Sequence, residues 1–280
     1  MLNSFVRSRA SASQQTKGKR SSILYRYRFL ILGAVAFIFF GLIHPQVAFA
    51  APGGKIAVKM FSGLFKGVFG KILLAIVLIV CLPLIPYLIY VYLKESLASR
   101  RTFKDLQRLS QVSDKFDWLQ VKERVTECFH KVHSAWRKED MQEAAGWMTN
   151  WYWQNQQLAY LDQWEKDGLV NHCRVKSILN IKPLFLRYRN NGGVFDGSRL
   201  VVSITANMED YLAERNTGNI VQGEKGYNNV EAIWTFIIED GNWIVANIEE
   251  SHMALAYAKL ANEVPAILQG GDATEMKNNY

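Results

Sequence analysis

The stretch NNVEAIWTFIIEDGNWIVANIEE, residues 228–250, decides the fold. Asp240 and Gly241 lie between two β-rich runs, and an Asp-Gly pair in that setting signals a type I′ hairpin, because both central residues of the turn need positive φ. With these two as the loop, Glu239 faces Asn242, Ile238 faces Trp243, Phe236 faces Val245 and Trp234 faces Asn247. The opposite face carries Ile233, Thr235, Ile237, Ile244, Ala246 and Ile248, and it is nearly as apolar. An antiparallel hairpin with one wet face alternates apolar and polar residues. This hairpin therefore needs cover on both sides.

Strand patterns extend upstream. Residues 199–209 alternate, with Leu200, Val202, Ile204, Ala206 and Met208 on one face and Val201, Ser203, Thr205 and Asn207 on the other. Residues 172–181 and 184–189 read as two strands around Pro183, and the polar, Gly-containing stretch 214–229 as a loop leading into the hairpin. Ahead of the strands the period is helical. Trp118, Val121, Val125, Cys128, Phe129, Val132 and Trp136 form one stripe, with Ser113 or Asp114 as the expected cap. Helices over 141–148 and 151–166 follow, the last closed by Gly168. Trp147, Trp151, Tyr152, Trp153, Tyr160 and Trp164 fall at helical spacing and read as core more than as a ligand pocket. A final helix over 251–268, with Leu255, Leu260, Val264 and Leu268, closes the pattern. Three helices followed by a run of antiparallel strands define an α+β fold with segregated layers.

The formal net charge of +8 is unevenly placed. Residues 1–94 contain no Asp or Glu and twelve Lys or Arg, which leaves −4 for residues 95–280. A mildly acidic folded part removes the main support for a nucleic-acid partner. Two apolar segments explain the split. Residues 29–43 follow a cationic leader and precede Ala48-Phe49-Ala50-Ala51, which are signal-peptide features. Residues 72–93 are uncharged and long enough to cross a hydrocarbon core of about 30 Å. Seven basic residues precede the first segment, and Lys94, Arg100, Arg101, Lys104 and Arg108 follow the second. The positive-inside rule then puts residues 94–280 on the cytoplasmic-equivalent side, whether or not the leader is cleaved after Ala50. The membrane is a bacterial or an organellar inner membrane; the acid-free leader also fits a transit peptide.

Between the segments, residues 51–71 make a basic loop in which Lys55, Lys59, Ser62 and Lys66 share a narrow arc while Met60, Phe61, Leu64 and Phe65 spread over the rest. Lys55, Lys59, Lys66, Phe61 and Phe65 are the expected contacts to anionic lipid at the membrane interface. Gly63, Gly67 and Gly70 weaken any helix there, so a flexible connector is the competing reading. Residues 94–113 read as a charged helical linker, 114–270 as the folded domain and 271–280 as a tail.

Phe129 and Trp136, Asp140, Gly168, the stretch VVSITANMEDYLAERNTGNIVQGE (201–224) and EAIWTFIIEDGNWIVANIEE (231–250) together resemble the Tim44-like (inner-membrane translocase subunit 44-like) domain family of the nuclear-transport-factor-two-like superfamily. The likeness covers about 116–250; Asp210-Tyr211, Thr217-Gly218, Gly223, Trp234-Thr235-Phe236 and Trp243 are its most diagnostic positions. It implies a cone-shaped curved antiparallel sheet packed on three N-terminal helices, here preceded by hydrophobic membrane segments. It also implies a tether or assembly module that pairs through its sheet. The long charged N-terminal region expected to recruit a chaperone in the mitochondrial member is missing, so that role is not implied.

Chemistry has few candidates. His130 and His133 lie three apart on a helix without an evident acidic or Cys partner, and Asp210 reads as ending a strand and shaping the turn after it. Cys81, Cys128 and Cys173 show no metal or disulfide spacing. The sequence thus reads as a membrane-anchored protein-binding or assembly module supporting transport or complex assembly, without enzymatic activity, cofactor or metal. The expected partner face is Ile233, Ile237, Ile244 and Ile248, meeting the last helix, a second copy or another protein. The alternatives are a small-molecule-binding or enzymatic cone-fold domain and a secretion-system assembly component.

Overall fold

A computed structural model describes residues 84–265, and the chain divides into two compact units, Met1–Leu93 and Lys94–Tyr280. The leader, the basic loop with Lys55, Lys59, Lys66, Phe61 and Phe65, most of 72–93, and the tail lie outside the described residues. Among the described residues no helix is long and apolar enough to cross a membrane. In the first unit, the described residues belong to helix α1 (Leu84–Leu109), and Tyr87, Ile89, Tyr90, Tyr92 and Leu93 are exposed there.

In the second unit the rest of α1 is more than a linker, since Ala98, Thr102, Leu106 and Leu109 are buried. A 3-10 turn (Asp114–Phe116) follows, and α2 (Trp118–Lys138) is capped by Asp117, whose carboxylate accepts from Leu119 N and Gln120 N; Ser113 caps the 3-10 turn instead. The expected stripe of α2 is buried from Val121 to Ala135, and Glu139, at φ 59°, ends the helix in a left-handed cap. The second expected helix is a 3-10 helix (Met141–Trp147), and the third runs as α3 (Asn150–Gln156), a π turn (Gln157–Leu161) and α4 (Asp162–Lys166). Gln157 in the π turn accepts from Met141 N at 2.9 Å and donates to Asp162 at 2.7 Å, which ties the two helices together.

The sheet is an open antiparallel meander in the order β1-β2-β3-β4. Strand β1 (Leu169–Arg187) is continuous through Pro183, where two strands were expected. Pro183 is tolerated because β1 is an edge strand and the register shifts between Pro183 and Phe185. Strands β2 (Arg199–Glu214) and β3 (Ile220–Glu239) are longer than expected, because most of the polar stretch 214–229 is strand. Gly223 makes this possible: at φ +83° a Cβ would stand 2.6 Å from the Asp210 carbonyl oxygen, so the strands approach there only without a side chain. Strand β4 (Asn242–Glu250) completes the hairpin, with Asp240 and Gly241 at φ 50° and 69° as the type I′ turn requires.

The hairpin register agrees with expectation from Glu239–Asn242 to Phe236–Val245 and then departs from it. A bulge at Ala246 puts Thr235 opposite Asn247 and Trp234 opposite Ile248. Ile248 therefore shares a face with Trp234 and packs on the main core. That core lies between α2 and the inner sheet face and contains Trp234, Phe236, Ile238, Trp243 and Val245 with Phe129, Val132 and Tyr152.

The outer face is covered near the hairpin by the chain itself. After a 3-10 turn (Ser251–Met253), α5 (Ala254–Lys259) is far shorter than the helix expected over 251–268. Beyond it the chain extends and Glu263 bonds to β1 through Glu263 N→Leu186 O and Tyr188 N→Glu263 O. Asn262 is the hub: its Oδ1 accepts from Leu186 N at 2.9 Å and Thr102 Oγ1 at 3.2 Å, while its Nδ2 donates to Asp105 at 2.7 Å. One side chain thus joins β1, α1 and the C-terminal segment. Val201, Ser203, Ile233 and Thr235 are buried on this face, whereas Arg174, Ser177 and Asn229, further along it, are exposed.

Candidate functional site

The expected partner row does not form one exposed surface. Ile233 is 0% exposed and Ile244 9%, Ile237 is half-buried, and the Ala246 bulge has moved Ile248 to the inner face. What covers the row includes α5, whose Ala254 and Ala258 are buried and whose Tyr257 hydroxyl donates to Glu249 at 2.7 Å. The large apolar side chains left in solvent on the helices include Trp151, 71% exposed, and Leu158, 68% exposed. They are seven apart and so share a helical face, a spacing visible in the sequence. Among the other clustered aromatics, Tyr152 is buried and Trp147, Trp153 and Trp164 pack against the core, as the core reading requires, while Tyr160 is exposed.

The histidines separate by environment. His130 is exposed, but His133 tucks its ring against Phe129 at 4.0 Å and Trp234 at 5.6 Å between ring centroids. Its Nδ1 lies 2.7 Å from Phe129 O, and burial pushes its pKa down to about 4, so it is neutral at pH 7 with Nδ1–H donating to the carbonyl. His133 is half-buried, with its ring lying on the aromatic core, while His130 one turn earlier faces solvent. His172 is exposed and stacks on Tyr211 at 4.6 Å; His252 sits 3.2 Å from Glu250.

Asp210 does not end its strand, since β2 continues to Glu214, and it pairs with Cys173 on one side and Glu224 on the other. Cys128 and Cys173 are buried, and burial pushes both thiols up to about 12, which leaves them protonated and unreactive in the fold. Cys81 lies outside the described residues. Among the described residues no group of three or more His, Cys, Asp or Glu could hold a metal ion.

Sequence reasoning missed Glu95 and Asn262. Glu95 is 4% exposed on α1, and burial, the charge of Glu231 and, in opposition, that of Lys182 push its pKa up to about 7. In sequence it is one acid among the charges of an apparent linker. Ser203 donates to Glu231 at 2.6 Å on the outer sheet face.

An α+β unit in which a four-stranded antiparallel meander packs its inner face on α2, with turn devices such as Gly223 and the Asp-Gly hairpin, defines the class. The Tim44-like domain family matches residues 104–250, more than half of the chain, and the chain belongs to that family. Among solved structures, the intermembrane-space region of the chloroplast protein ARC6 is similar at 12% identity and a TM-score of 0.34, covering 47% of this chain and 96% of that one. AclR, a putative hydroxylase from Streptomyces galilaeus, is similar at 15% identity and a TM-score of 0.21, covering 56% and 98%. The family assignment rests on neither. No curated protein matches the chain.

Proposed function

We propose that the chain is a membrane-held Tim44-like module that binds protein, either a partner or a second copy, and supports membrane-protein transport or the assembly of a complex. The observation that carries the membrane part is the exposed set Tyr87, Ile89, Tyr90, Tyr92 and Leu93 on α1, at the end of an apolar stretch and followed by basic residues. Aromatic residues suit the headgroup boundary, where one end of the ring is apolar and the other wet. Family membership supports the binding part. The module is noncatalytic in this reading: His133 is neutral and held to the backbone, and both described thiols are buried and protonated. With the Ile233 row largely covered, protein contact is expected on other surfaces, including the Trp151 and Leu158 side of the helices.

Residues 94–280 are expected on the cytoplasmic side, or the matrix or stromal side in an organelle. Reporter fusions at the C-terminus check this: a reporter that works only in the compartment of synthesis should be active. Activity confined to a reporter that requires export would overturn the assignment and favour the secretion-type reading.

A further inference from the structure

Beyond α5 the chain lies against the end of β1 as a short parallel partner: Glu263 N donates to Leu186 O at 2.9 Å, and the Glu263 carbonyl accepts from Tyr188 N at 2.8 Å. Side chains of an extended segment alternate, and here Ala261, Glu263 and Pro265 are exposed, while Asn262 in its hub and Val264 against the core are half-buried. Arg187 grips the Glu263 carboxylate with two bonds, from Nε at 2.6 Å and from Nη2 at 2.5 Å, and Arg189 Nη2 stands 3.5 Å from it. Arg199, exposed on β2, is the cross-strand neighbour of Arg187, a placement in which like charges are unfavourable. The bonds from Arg187, with the charges of all three arginines, hold the Glu263 carboxyl below its usual range. Among the described residues no other acid forms an ion pair with these arginines, so three guanidinium groups share one carboxylate and positive charge is left over.

We propose that the end of β1, with Arg187, Arg189 and Arg199, is a docking groove for an extended acidic segment of a partner protein, and that residues 260–264 fill it in cis. The strap shows what the groove accepts. Backbone pairing with Leu186 and Tyr188 adds the segment to the sheet as a strand, and a carboxylate between exposed neighbours meets Arg187. A partner segment keeps Asn and an apolar residue at the half-buried positions and carries acids at all three exposed ones, where the surplus positive charge is unmet. The strap can be displaced, because its ion pairs are exposed and individually weak, and the buried residues of α5 that lead into it are the small Ala254 and Ala258.

The groove rests on the protein-binding function proposed above, yet it can fail alone, because that function also admits the Trp151 and Leu158 side of the helices. The probes are fluorescent peptides built on residues 259–265: KLANEVP as in the chain, KLENEVE with acids at the other two exposed positions, and KLQNQVQ as the uncharged control. Glu263 is exposed, so Glu263→Gln weakens the strap and leaves the groove arginines in place. This full-length variant should bind KLENEVE about tenfold or more tighter than the unaltered chain does, with the affinity falling as salt rises. KLANEVP should bind it more weakly and KLQNQVQ not measurably, and adding Arg187→Gln should abolish the preference for the acidic peptide. In the unaltered chain, excess KLENEVE should speed amide hydrogen exchange at Glu263, a readout that needs no variant. Equal binding of KLENEVE and KLQNQVQ, indifference to Arg187→Gln, or unchanged exchange at Glu263 would overturn the groove. KLANEVP binding as tightly as KLENEVE would overturn the acidic partner in favour of the same segment of a second copy.

Discussion

Trp234→Ala is expected to cost about 3–5 kcal/mol of folding stability, the range for emptying a large aromatic site. Trp234 is 1% exposed and packs against Phe129 at 5.0 Å, His133 at 5.6 Å and Phe236 at 6.2 Å between ring centroids. These neighbours come from α2 and β3, both anchored elsewhere in the core, so they have little freedom to collapse into the space. Trp243→Ala should fall in the same class and also removes the bond from its Nε1 to Lys115 O, 2.8 Å, which pins the loop before α2. Chemical denaturation of the second unit measures both. A loss below about 1 kcal/mol for either would mean that the inner face of the hairpin is not core.

Ile233→Lys should be at least as damaging, and it separates an internal row from a docking surface. Ile233 is 0% exposed on the outer face, opposite Ser203 on β2 and Glu249 on β4. Leaving an uncompensated charge at a buried site costs about 3–5 kcal/mol. Ile237, half-buried near the turn, should accept Lys at a cost of about 1 kcal/mol, because a lysine stem can lie on apolar surface with its ammonium in water. Denaturation midpoints with size-exclusion chromatography distinguish the cases. A folded Ile233→Lys variant that merely changes oligomeric state would mean that the outer face is open to a partner.

The hairpin, the α2 stripe and the acid-free leader could be read directly, because each depends on local period or charge. The displacement of Ile248 could not: a bulge inserts one residue, and Ala246 carries no mark of being that residue. The extra length of β2 and β3 was hidden for another reason. Residues 221–225 are exposed, so the apolar alternation that betrays a half-buried strand is missing there. The end of α5 was lost to competition, since Asn262 and Glu263 bond to β1 and α1 in place of continuing the helix that Leu255, Leu260 and Val264 suggested. Glu95 belongs to the same group, for it is buried and the charges that act on it, Lys182 and Glu231, lie more than 80 residues away in the chain.

That this Tim44-like domain works at a membrane is tested most directly by alkaline extraction of native membranes followed by immunodetection of residues 94–280. The expected result is that the domain stays in the pellet with the full chain and leaves it once the chain is cut between 93 and 104. Quantitative release of the intact chain into the alkaline supernatant would contradict it.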